Sequence, residues 1–193
     1  MSTPPDDSAE YFVIGRANPR GMLLYSLPDP NDDEGWALGR RFMAAPGEPI
    51  EVEILTGYEA AAPLHWFGTP PIVSNALFDV LKAAGVSNID AYDVVLVSED
   101  GRTRLGGYKA LNIIGRLPAA DPRGTRYAPE NASRHIDASI DSLKIDPTRT
   151  GGALMFRLAE SSGAVLVHKR VKEAIEAARL PWISFSLPSQ LVS

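Results

Sequence analysis

The sequence predicts a single α+β domain: a mostly antiparallel sheet, two or more helices, and long proline-rich connections in the N-terminal third. Three observations predict it. Several short runs alternate apolar and polar residues with the period of a strand, two longer stretches repeat apolar residues with the period of a helix, and prolines cluster outside both. With 193 residues, 45% of them hydrophobic and 22% charged, the chain has enough apolar material for one core. No period of roughly 20 to 50 residues recurs, so a solenoid or propeller is not expected.

Taken in order, residues 1–10 read as a flexible tail, and Tyr11–Ile14 is a β-branched and aromatic run suited to a first strand. Between Pro28 and Pro49 prolines, glycines and acids break every period, so a structured loop anchored by Trp36 and Phe42 is expected. Ile50, Val52 and Ile54 then alternate with Glu51 and Glu53, which predicts a strand with one buried face and one acidic, wet face. Pro63–Pro71 reads as a connection held by the aromatic side chains of Trp66 and Phe67. Ser74 is an N-cap residue, Leu77, Val80, Leu81 and Ala84 recur at helical spacing and Gly85 follows, so residues 75–84 are expected to be helical.

Tyr92–Val97 and Thr103–Ile114 flank Asp100 and Gly101, the signature of a β-hairpin with a two-residue turn. Pro118–Pro129 reads as a loop. From Arg134 to Ile145 the apolar phase changes parity, which a bulged strand or two short strands accommodate. Leu154, Phe156 and Leu158 alternate as a strand, and Val165–Val167 is a short apolar run. Across Lys169–Leu180 the residues Val171, Ala174, Ile175 and Ala178 form one apolar stripe, ended by Pro181. Ile183, Phe185 and Leu187 make a last strand.

Charge and composition narrow the function classes. The net charge is −5, which disfavours nucleic acid and anionic lipid as partners. Residues 1–60 hold eleven acids against four arginines, whereas the remainder is close to balance, so the acidity is local. There is no cysteine, which removes disulfides, thiolate zinc sites and a cysteine nucleophile. Met1–Asp7 is polar and acidic, unlike a secretory leader, and no apolar run approaches the roughly 20 residues of a membrane helix. A cytoplasmic location is the expectation.

Residues able to do chemistry are dispersed. His65, His135 and His168 fall in three different elements with no shared metal-ligand spacing. Ser161, Ser162 and Gly163 read as a turn, Gly106 and Gly107 as a bulge, and Asp137 and Asp141 as a solvated strand face. Asn131 heads a glycosylation acceptor triplet, which carries little weight in a chain without an export signal. No catalytic, cofactor or metal site is expected. What stands out is the acid-rich segment Asp29–Glu34 beside Trp36, followed by the acidic face of Glu51 and Glu53, a surface suited to steering a basic partner. The candidate contact set is therefore Asp32, Asp33, Glu34, Trp36, Glu51 and Glu53, with Trp36 as a buried anchor.

One further reading rests on a run of short motifs. These are Val73-Ser74 opening a helix, Tyr92–Val97, Tyr108-Lys-Ala-Leu-Asn112-Ile-Ile, Ile136–Ile145, Leu154-Met-Phe156-Arg157-Leu158, Val165–Val171 entering Glu173-Ala-Ile175, and Trp182–Phe185. In this order they resemble the immunity protein family eleven of bacterial polymorphic toxin systems, typified by a Myxococcus protein and earlier catalogued as a domain of unknown function. The resemblance covers residues 71–187, about two thirds of the chain, and not the first 70 residues. It implies a protein that binds and neutralises a cognate toxin, and it brings no catalytic residue with it. Two other classes remain open: a small enzyme with a site assembled from dispersed His, Asp and Ser, and a self-associating structural subunit.

Overall fold

A computed structural model of the chain describes residues 10–16, 35–54, 65–128 and 139–191. The strands are β1 (Tyr11–Arg16), β2 (Ile50–Ile54), β3 (Ile72–Ser74), β4 (Ile89–Ser98), β5 (Arg104–Ile113), β6 (Arg116–Leu117), β7 (Arg126–Tyr127), β8 (Ile140–Ser142), β9 (Met155–Leu158), β10 (Val165–His168) and β11 (Ile183–Ser186). The helices are α1 (Asn75–Ala83) and α2 (Lys169–Ala177). The first sheet has the order β2-β4-β5-β3, the second β11-β1-β10-β9-β6, and β7 with β8 forms a ribbon. All pairings are antiparallel except β2 with β4 and β6 with β9, so the α+β class holds, with the strands divided between sheets.

Each helix grows directly out of a strand. The last residue of β3, Ser74, accepts the Leu77 N–H at 3.2 Å, satisfying a donor that the first helical turn leaves open. At the end of β10, His168 does the same through Nδ1, which accepts the Arg170 N–H at 3.1 Å. The two units repeat one design. A constant offset carries Ser74 to His168, Leu77 to Val171, Leu81 to Ile175, Ala84 to Ala178, Gly85 to Arg179 and Ile89 to Ile183. Gly85 (φ +99°) and Arg179 (φ +52°) both follow the helix C-cap in the left-handed region.

The strand between the outer two matches as well. In the first sheet β5 lies between β3 and β4, with Ser74 opposite Tyr108 and Ala91 opposite Leu111. In the second, β1 lies between β10 and β11, with His168 opposite Tyr11 and Phe185 opposite Ile14. A second constant offset relates these middle strands. The chain order differs, because β5 follows β4 through a hairpin whereas β1 precedes the whole of its unit.

Both units drain into one core. Val73, Leu77, Leu81, Ile89, Leu111 and Ile113 of the first meet Phe12, Ile14, Val165, Val167, Val171 and Ile175 of the second. Beyond the first sheet, a second cluster joins Ile50, Val52, Ile54, Val94, Leu96 and Tyr108 to Trp36. Beyond the second, Phe156, Leu158 and Leu166 pack on Ala119, Ala120, Ile140 and Leu143.

Several expectations are adjusted. The hairpin turn is longer than two residues, since the ladder closes with the Ser98 N–H on the Thr103 carbonyl. The extra residue in β5 lies at Gly106–Gly107, as a bulge predicts, because Val94 pairs with Tyr108 but Leu96 with Leu105, and Gly107 has φ +88°. Helix α2 stops at Ala177, three residues early, because the backbone turns left-handed at Arg179 before Pro181 is reached. Between 134 and 145 the described strand is β8 alone, with Ile145 in an isolated bridge to Ala120, and residues 134–138 lie outside the described part.

Strand β9 is buried on both faces rather than alternating with solvent. Arg157, which strand alternation would place on a wet face, is 0% exposed, and its guanidinium donates to the Ser162 carbonyl at 2.8 Å and the Gly68 carbonyl at 3.1 Å. The expected tail at 1–10 lies outside the described residues except for Glu10, whose carbonyl accepts the Lys169 N–H. Among the described residues, no helix is long and apolar enough to cross a membrane.

Candidate functional site

The period-two pattern of β2 separates its side chains by face. Ile50, Val52 and Ile54 point into the cluster around Trp36, and Glu51 and Glu53 are exposed on the opposite face. Parallel pairing sets Glu51 beside Val95 and Glu53 beside Val97 of β4. Antiparallel pairing then sets Asp93 beside Lys109 and Val97 beside Arg104 of β5. Helix α1 covers this face of the sheet only at its other end, over Ile89, Leu111 and Ile113. An open half-face results, with glutamates at one margin, half-buried valines in the middle and basic residues at the other margin.

Its charges are partly matched. Arg104 pairs with Glu51, and Lys109 Nζ lies 2.6 Å from Asp93. Glu53 and Glu99 form no ion pair among the described residues. With Glu51, Val97, Ser98 and Gly101 they line a shallow depression of about 270 Å³ at the hairpin tip. The tip is ordered by Asp100, which accepts hydrogen bonds from the Ser98 hydroxyl (2.6 Å) and the Arg102 N–H (3.0 Å). Those donors hold its carboxyl below the usual carboxylate range.

Trp36 does not belong to this surface. It is 5% exposed and lies on the far side of the sheet, edge-on to Phe42 (4.7 Å between ring centroids) and Tyr92 (5.6 Å). The alternation that turns Glu51 and Glu53 outward turns Ile50 and Val52 toward Trp36, so the indole supports the sheet from behind and has no face to offer a partner. Burial raises the Tyr92 pKa, with the charges of Asp90 and Glu48 adding to the effect. Asp32, Asp33 and Glu34 lie outside the described residues, so the structure brings together only Glu51 and Glu53 of the expected set.

The other chemical candidates resolve locally. His168 is a helix cap whose ring meets Tyr11 edge-on at 5.3 Å. His65 is fully buried with neither ring nitrogen hydrogen-bonded among the described residues, and burial pushes its pKa down to about 4. His135, Asn131 and Asp137 lie outside the described residues, and Asp141 is exposed on β8. Ser161 and Ser162 serve a turn closed by the Ala164 N–H on the Ser161 carbonyl. Among the described residues no three His, Asp or Glu side chains converge as a metal site would require.

Two concavities were not legible in the sequence. One, of about 500 Å³, lies between the halves and is bordered by Gly85, Asn88, Gly115, Gly151, Gly152 and Leu154. There the Asn88 side chain ties the halves together, donating to the Ile114 carbonyl at 2.6 Å and the Met155 carbonyl at 2.8 Å. The other, of about 460 Å³, lies between α2 and β11. The apolar stripe of α2 and the alternation of β11 were each readable, but not the gap left between them.

No protein-family model matches the chain. No curated protein matches it either.

Proposed function

We propose that the protein is an immunity-type inhibitor, a cytoplasmic binding protein that neutralises a cognate bacterial toxin by direct contact. The observation that carries this reading is the open half-face of the first sheet. Glu51 and Glu53 are presented there on a strand, with Glu99 beside them at the hairpin tip, next to half-buried Val95 and Val97. A flat, strand-built surface with an apolar middle and an acidic margin suits a protein partner with a basic patch, because complementary charge speeds encounter and the apolar middle slows release. The resemblance of residues 71–187 to the immunity family points to the same role, and β4, β5, α1 and α2 all fall within that span. Inhibition then works by coverage, with this face occupying the toxin surface that substrate needs.

The test is a growth assay. The protein captured by this chain from its native cell arrests growth when expressed alone, and co-expression of the wild-type chain restores growth. A Glu51→Lys, Glu53→Lys double variant with unchanged thermal stability loses the rescue. Rescue that survives the double charge reversal would overturn the assignment of this face.

A further inference from the structure

The α2–β11 connection differs from its counterpart in the first half in a way that packing does not explain. In the first half the two positions are Gly85, which tolerates φ +99° without cost, and Asn88, which ties the halves together. In the second they are Arg179 (φ +52°) and Trp182 (φ +64°), the two non-glycine residues with positive φ among the described residues. Both are exposed, Trp182 at 44%. Neither makes a hydrogen bond, ion pair or ring contact from its side chain among the described residues. Strain held at two exposed residues of the types that dominate protein-binding energetics points to use rather than support.

Arg179 stands at the lip of the 460 Å³ groove, whose apolar wall is Phe12, Ile175, Leu180, Ile183, Phe185 and Leu187. Lys172 also lines it, but its charge is spent internally. Its Nζ pairs with Glu176 at 2.8 Å and lies 5.1 Å and 5.7 Å from the ring centroids of Phe12 and Phe185. The groove therefore offers an apolar wall and, among the described residues, one unmatched positive charge. The equivalent positions in the first half offer no such charge: Asp93 and Lys109 stand where Leu187 and Phe12 stand, and they pair with each other.

The geometry points to a second interaction surface here, which takes an acidic, apolar segment of a partner protein. A carboxylate of that segment pairs with Arg179 and its apolar side chains fill the groove against Phe185 and Leu187. This surface is separate from the acidic half-face of the first sheet and does not rest on the inhibitor reading.

The test uses the full ¹⁵N-labelled chain and two synthetic peptides, acetyl-Gly-Leu-Glu-Phe-Asp-Leu-Gly-amide and the same peptide with lysine at both acidic positions. The acidic peptide is expected to give saturable shifts confined to α2 and residues 179–187, and to bind about ten-fold tighter than its lysine counterpart. Arg179→Gly, which installs the residue found at the matching position, is expected to keep or raise Tm while weakening binding about five-fold or more. Arg179→Gln serves as the second variant, with the same loss of affinity. Glu51→Lys with Glu53→Lys leaves this binding unchanged, which separates the two surfaces. Equal binding of both peptides, no saturable shifts, or undiminished binding by both Arg179 variants would overturn the proposal. So would a concentration-dependent dimer in sedimentation that Arg179→Gln dissolves, because the groove would then belong to a second copy of this chain.

Discussion

The two halves of this molecule are built to the same register yet end in opposite ways. In the first, the outer edge of β4 is covered. Strand β2 pairs with Val94–Ser98, Arg41 Nη1 lies 2.5 Å from Asp90, and Glu48 Oε1 accepts the Asp93 N–H. In the second, the matching edge amide, that of Leu187, is satisfied by Gln190 Oε1 from the turn that follows, and every residue of β11 is half-exposed. Each half also widens its sheet on the opposite side, the first with β2 next to β4, the second with β9 next to β10. The difference teaches that caps and register determine the unit, while whatever lies along its outer strand determines whether the unit becomes core or surface.

Matched substitutions sharpen this contrast. Leu81→Ala removes a fully buried side chain from a sealed environment and is expected to cost about 3 kcal/mol in denaturant unfolding. Ile175→Ala, at the matching position on the groove wall, is expected to cost about 2 kcal/mol, because its cavity opens toward solvent and relaxes. A reversed order would break the comparison.

The pH response isolates the first half in another way. His65 stays neutral in the folded protein down to pH about 4, while in the unfolded chain it takes up a proton below its ordinary value of 6.5. The unfolded state therefore binds more protons between these values, and stability falls as pH drops through that window, by about 3 kcal/mol at most. Unfolding curves at stepped pH are expected to lose that slope in His65→Leu, and a slope unchanged by the substitution would assign it to other groups.

Smaller effects belong to the caps. Ser74→Ala is expected to cost about 1 kcal/mol. His168→Ser trades the ring contact with Tyr11 for a stronger cap and is expected to stay within about 0.5 kcal/mol of the parent, by thermal or chemical unfolding.

The sequence made local order readable wherever one face of an element is wet. The alternation of Ile50–Ile54, the cap at Ser74, the bulge at Gly106–Gly107 and the stripe of α2 all carry that signature. It failed where both faces are covered. Arg157 reads as a solvated strand residue, yet Met155 beside it faces the central core and Phe156 the outer cluster, so no alternation survives to mark the strand as internal. That Trp36 lies on the other face of the sheet from Glu51 and Glu53 was hidden for a related reason, since proximity in sequence to acidic residues does not say which side of a sheet a loop crosses. The repeated unit was hidden because its copies lie far apart and the middle strand comes last in one and first in the other. The shared exposed face of Glu51 and Glu53 was legible because β2 is an edge strand with a regular pattern. The groove beside α2 was not, because it depends on how α2 packs over β1 and β11, which no local pattern records.

The most direct measurement of the central claim, that the outer edge of β4 is paired whereas β11 is an edge strand, is residue-resolved amide hydrogen exchange on the full chain alone. The protected amides of Tyr108–Ile113 are predicted to exchange only through global unfolding, and those of Ile183–Ser186 at least about 100-fold faster through local opening. Equal protection of the two segments would contradict the account.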